Sequence, residues 1–259
     1  MPRFALPGAE LDWELSDEGG APVVQLHGLT SSRYRDRLLG VDLGLGLSGT
    51  RLLRYDARGH GRSTGRAVPE DYRWDPLAHD LLALLDHVFP GEAVHGVGPS
   101  MGCGTLLHAI ALDPGRFRGL TLVVPATAWE TRAARAAEYR ASADVVEQQG
   151  FETFAALGAL APRPPATVGT PITQPDVPEE LLPTLFRGAA LTDLPPREVV
   201  ARVAVPTTVM AWVDDPAHPV SSAEAIAGLV QGSRLVLART PQDVAQWPAM
   251  LHEQVLETR

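Results

Sequence analysis

The residues best suited to chemistry lie in the stretch GVGPSMGCG, residues 96–104, which holds the pattern G-x-S-x-G as Gly98-Pro99-Ser100-Met101-Gly102. A serine hydroxyl is a weak nucleophile until a base takes its proton. A sharp turn that presents the hydroxyl at a helix N-terminus also aims backbone N–H groups at any negative charge developing beside it. Such a turn needs small neighbours, because the serine sits near positive φ. Ser100 is therefore the candidate nucleophile, and the N–H of Met101 the first candidate donor to an oxyanion. The stretch His27-Gly28-Leu29-Thr30 follows an apolar run and offers a second donor, the N–H of Leu29. His27 reads first as the residue that holds this loop, with contact to substrate as the alternative. Cys103, three residues after Ser100, reads as a buried small apolar group, with a second nucleophile as the alternative.

The elements that must position these residues are strands and helices in alternation. A short hairpin spans RFALPG and LDWELS. Strands are expected at 22–27, 51–56, 93–98, 120–126, 205–212 and 234–239, each a short apolar run bounded by turn residues. Helical spacing covers 75–89, with Asp75 as N-cap and Pro76 at the first helical position. It also covers 100–112, 221–230 and a last helix from about Gln246. From about 128 to 200 the rhythm changes to a long helix ending at Gly150, a proline-rich stretch, and a short helix near 179–187. This gives an α/β fold: a mostly parallel central sheet with helices on both faces, and a helical segment inserted before the strand at 205–212. The expected organisation is core at 1–127, helical cap at 128–200, and core again at 201–259. Ligands in such sheets bind at the edge formed by the carboxyl ends of the strands.

LHGLTSS, YDARGHGRS, GVGPSMG and DDPAHP, in this order, resemble the α/β-hydrolase fold, and within it the small capped enol-lactonase, esterase and haloperoxidase-like branch. The resemblance covers almost the whole chain, with 128–200 matching the variable cap. It implies a Ser…Asp…His order. The acid would come from AWVDDPAHPV, just before a proline, which is Asp215, with Asp214 as runner-up. The base would be a histidine in the loop after the last strand, but that loop reads TPQDVAQWP and contains none. Asp243 could serve there only with a strongly raised pKa. Of the eight histidines, His79, His87, His95, His108 and His252 read as packed or surface residues, and His60 as part of the RGHG turn. His218 stands three residues after Asp215 on the same expected edge, and is the candidate base.

Two functions follow. One is hydrolysis of a small ester, lactone or thioester by Ser100, with Asp215, His218, Leu29 and Met101. The other is a non-hydrolytic relative, either a ligand-binding pseudoenzyme or a catalyst that uses the same pocket without an acyl-enzyme. A haloperoxidase-like role would need the same triad. Trp129 is the candidate substrate contact from the cap. Phe151, Phe154, Leu157, Leu181, Leu182 and Leu185 line either an apolar cleft or the cap's own core. Arg132 and Arg135 meet either a carboxylate or solvent.

The remaining composition sets limits. A net charge of −9 argues against nucleic acid or an anionic membrane as partner. A small molecule is the expected partner. No metal site is expected, since no H-x-x-x-H pattern occurs, and no cofactor, since GVGPSMG lacks the lysine and spacing of a phosphate loop. A single cysteine and an N-terminus without an apolar run suggest a cytoplasmic protein.

Overall fold

The computed structural model describes residues 2–258. Eight strands form one sheet in the order β1-β2-β4-β3-β5-β6-β7-β8. They are β1 Arg3–Leu6, β2 Ala9–Asp17, β3 Ala21–Gln25, β4 Thr50–Tyr55, β5 Val94–Pro99, β6 Phe117–Val123, β7 Thr207–Trp212 and β8 Arg234–Ala238. The first two pair antiparallel to each other, and β2 pairs antiparallel to β4. Every pairing from β4 to β8 is parallel. The expected fold is therefore observed.

Side chains alternate across a strand, and here each alternate set meets its own helices. On one face Val24, Leu53, Leu120, Leu122, Val209 and Ala211 pack against α2 (Trp74–Val88), α3 (Met101–Leu112) and α8 (Val220–Leu229). On the other, Val23, Leu52, Val123 and Met210 pack against α10 (Trp247–Glu257). Both faces being covered explains why β3 and β5 are buried along their whole length. Among the described residues no helix is long and apolar enough to cross a membrane.

Between β6 and β7 the chain is helical: α4 Arg132–Gln149, α5 Phe151–Ala159, α6 Leu182–Ala189 and α7 Arg197–Val200. This segment has its own core, in which Tyr139, Ala143 and Val146 of α4 meet Leu182, Leu185 and Phe186 of α6. Leu182 and Leu185 thus belong to that core and not to a cleft. The helix α5 was not legible, because FETFAALGA has no buried residue and Leu157 stays exposed. The N-cap expected at Asp75 is also different. The helix starts one residue earlier, and the N–H of Trp74 is accepted by Thr192 Oγ1, 3.1 Å away, from the helical segment.

Arg132 anchors the same junction. Its guanidinium lies 4.5 Å over the Trp74 ring. It donates to the carbonyls of Thr192, Thr127 and Ala189. Burial without a carboxylate partner is tolerated because several oxygens share the charge. Arg132→Ala would strand these carbonyls and leave the indole face bare. We expect a loss of about 2–4 kcal/mol, read as a lowered midpoint in urea denaturation.

Candidate active site

The carboxyl ends of β5 and β7 bring the chemistry together. Ser100 follows β5 directly and has φ 50°, a region serine rarely adopts. The strain is enforced by packing. A Cβ on Gly98 would fall 2.8 Å from the backbone of Gly102, so strand and helix approach too closely for any other residue. Ser100 N–H is tied to Val123 O at 3.0 Å, and its carbonyl accepts from Cys103 and Gly104.

The strand β7 ends at Trp212, and the turn beyond it reverses at Asp214, which has φ 59°. Asp215 Oδ1 accepts from Ala217 N at 2.9 Å, and Asp215 O accepts from His218 N at 3.2 Å. This tight turn fixes the two side chains against each other. His218 Nδ1–H donates to Asp215 Oδ2 at 2.8 Å. Nε2 is then left as the acceptor for the Ser100 hydroxyl, also at 2.8 Å. Trp212 Nε1–H donates to the same Asp215 Oδ2 at 2.6 Å. Burial opposes ionisation of Asp215, but the hydrogen bond and charge of His218, with the donors Trp212 and Ala217, outweigh it. The carboxyl is held below the usual carboxylate range. A hydroxyl, an imidazole and a carboxylate in line can move a proton off the hydroxyl and hold the resulting cation.

The other half of an acyl-transfer site is a pair of N–H groups. Met101 opens α3, where the first N–H groups have no intrahelical acceptor. Leu29 lies in the loop after β3 and lines the pocket beside Gly28 and Ser100. Among the described residues its N–H has no acceptor in the protein. The pocket is a cavity of about 290 Å³. Its floor is the sheet edge with Ser100 and His218, and its roof is the helical segment, through Tyr139 and Phe186. Arg35, Arg135 and Arg163 line it too. Among the described residues no group of three or more His, Cys, Asp or Glu side chains could hold a metal ion.

The model of a family described as alpha/beta hydrolase fold matches residues 21–158. The chain belongs to the alpha/beta hydrolase fold family. It is 31% identical over 179 residues to 3-oxoadipate enol-lactonase 2 of Acinetobacter baylyi, a match covering 66% of this chain and 63% of that protein. It is 34% identical over 124 residues to the dihydrolipoyllysine-residue acetyltransferase component of an acetoin cleaving system from Pseudomonas putida, over 46% of this chain and 31% of that one. The chain thus spans less than two thirds of the length of these curated relatives. Among solved structures, a hydrolase from Pseudomonas aeruginosa superposes with a TM-score of 0.75 at 26% identity, covering 99% of this chain and 97% of that one. A thermophilic esterase from Thermogutta terrifontis does so with a TM-score of 0.78 at 20% identity, covering 100% and 99%.

The other residues singled out in this hydrolase-fold chain lie away from the reacting groups. His27 is buried and away from the pocket lining. Its Nδ1–H donates to Gly28 O at 2.8 Å and its Nε2 accepts from Ala57 N at 2.9 Å, so it ties the loop after β3 to the loop after β4. Burial pushes its pKa down, which suits this neutral, two-sided role. Trp129 also misses the pocket. Its Nε1–H is given to Pro195 O at 3.1 Å and its ring lies under Arg197, so it closes the junction where the helical segment leaves the core. Asp243 is exposed and caps the short helix α9 (Pro241–Val244). Donors at Arg239 N and at Thr240 N and Oγ1 hold its pKa low, the opposite of what a base there requires. His60 is buried, bonded to Arg58 O, and pushed down to about 3. Arg132 is the anchor described above, whereas Arg135 faces the pocket.

Two groups at the site escaped sequence reasoning. Trp212 could have been found, since the last residue of a strand entering an acid-bearing loop is well placed to touch it. Asp36, on α1 (Arg33–Leu39), carried no such signal, because its seven-residue helix reads as polar. Asp36 accepts from Ser31 Oγ, while its Oδ2 is buried without a partner. Burial pushes its carboxyl up to about 7. Below about pH 4 the group is protonated in both folded and unfolded chains and exacts no penalty. Between about 4 and 7 the unfolded chain ionises while the folded one keeps its proton, so stability falls as pH rises and the full penalty is present above 7. Asp36→Asn should therefore stabilise the protein by on the order of 2–4 kcal/mol at pH 8, a gain that shrinks toward pH 4 in urea melts across that range.

Proposed function

We propose that the protein hydrolyses small carboxylic esters or lactones through an acyl-enzyme on Ser100. The observation that carries this reading is the pair of hydrogen bonds on the two nitrogens of His218, 2.8 Å to Ser100 Oγ and 2.8 Å to Asp215 Oδ2. As Ser100 Oγ attacks the carbonyl carbon, its proton passes to His218 Nε2. The carbonyl oxygen takes up negative charge, facing the N–H groups of Leu29 and Met101. Asp215 holds the ring in the required tautomer and stabilises its cation without taking the proton. The imidazolium then protonates the leaving oxygen as the bond from carbonyl carbon to that oxygen breaks. Water, giving a proton to the same nitrogen, releases the acid and restores Ser100. In a lactone the leaving oxygen stays attached to the acyl chain.

The pocket supports a small substrate with an apolar body, since Val124, Tyr139 and Phe186 contribute walls to a cavity of about 290 Å³. Arg35, Arg135 and Arg163 favour an anionic group on it, with Asp36 the one acid in the lining. Arg35 and Arg163 are bonded to threonine oxygens, not to carboxylates. An ester or lactone bearing a free carboxylate fits this balance, and the enol-lactonase among the relatives agrees with a ring-opening reaction. The non-hydrolytic alternative rested on the absence of a histidine after β8. It loses that support if His218 serves from the loop after β7.

A fluorophosphonate probe, followed by intact mass, tests the proposal because it labels serines activated beside an oxyanion hole. The wild type should label promptly at one site and Ser100→Ala not at all. His218→Ala should label about a thousandfold more slowly or worse, while Asp243→Ala should match the wild type. An unlabelled wild type would overturn the reading. A second expectation concerns the arginines. Arg35→Gln should raise KM for monomethyl glutarate about tenfold and leave methyl butyrate nearly unchanged, measured by pH-stat titration.

A further inference from the structure

We infer that Trp212 is the positioning residue of the acid–base turn, holding Asp215 through its indole N–H while Trp247 braces the indole from the first turn of α10. The inference rests on the hydrolase reading above. Trp212 is the last residue of β7, paired in register with Ala238 of β8, so its backbone is fixed by the ladder. Its Nε1–H reaches Asp215 Oδ2 at 2.6 Å, the same oxygen that receives His218 Nδ1–H. Its ring meets the His218 ring edge-on, with centroids 6.5 Å apart at 86°. Behind it the Trp247 ring stacks at 5.9 Å and 14°. Trp247 is fully buried and its own Nε1 has no partner, so what it contributes there is its ring.

This arrangement answers a problem raised by placing acid and base three residues apart. A carboxylate in so short a turn can rotate about its Cβ–Cγ bond and leave the imidazole. Ala217 N holds one oxygen from the turn itself, and Trp212 holds the other from the sheet. The indole N–H also offsets part of the carboxylate charge. Without it the full Asp215 charge would face the imidazole, and the pH profile of the site would change with it.

The test uses full-length protein and the rate of fluorophosphonate labelling as a function of pH. Trp212→Phe should label about tenfold more slowly, and the acid limb of its rate profile should move to higher pH. Trp247→Phe, which keeps the Trp212 N–H, should slow labelling less and leave the limb where it is. Wild-type rate and profile in Trp212→Phe would overturn the inference, and so would slower labelling with an unmoved limb, which assigns Trp212 to packing alone. Failure of the wild type to label would instead defeat the hydrolase reading. Should Trp212→Phe not fold, the ¹⁵N-resolved indole resonance of Trp212 in the wild type decides. It should shift with the pH of the acid limb while that of Trp247 stays still, and an unmoving Trp212 resonance would overturn the inference.

Discussion

One imidazole ring joins two parts of the chain that are 118 residues apart. On one side stands a serine that strand, helix and two glycines have forced into strained backbone. On the other stands a turn that the sheet ends in and cannot move. The ring links them only because both ends are rigid. A hydrogen bond of 2.8 Å between side chains on mobile loops would be lost to conformational entropy as readily as it formed. Here the elbow is set by the parallel ladder of β5 and β6 and the turn by that of β7 and β8. The two-sided core exists, in functional terms, to hold those ladders still.

Much of this was legible in the residues. Short apolar runs bounded by turn residues gave the strands, and the glycines around Ser100 gave the elbow, because a close approach of backbone leaves a mark on residue type. His218 could be singled out as the candidate base from its edge of the sheet. Its reach to Ser100 could not, because that depends on a turn of 3.2 Å between Asp215 and His218 whose shape Asp-Asp-Pro-Ala-His does not specify alone. Trp129 was misplaced for a related reason. A large aromatic at the start of an insertion fits a pocket or a junction equally well, and only the positions of Pro195 and Arg197 separate the two. Helix α5 left a weak signature because it only half-buries Phe151 and Phe154 against the helical segment's core.

Electrostatics set the pocket apart from the rest of the molecule. The chain carries a net charge of −9, yet its pocket gathers three arginines around one acid. Neutral oxygens of threonine and backbone hold Arg35 and Arg163, which keeps their charge available to whatever enters. Asp36 adds little counter-charge, because burial favours its proton until about neutral pH.

The turn from Trp212 to His218 has a structural consequence of another kind. Indole, carboxylate and imidazole lie within seven consecutive residues, so the acid–base apparatus we propose is one contiguous module instead of a set of contributions from separate loops. Such a module is portable. Grafted onto the end of the corresponding strand in another sheet of this architecture, it would bring its internal hydrogen bonds with it and would need from its host only a serine at the right distance and an aromatic wall behind the indole.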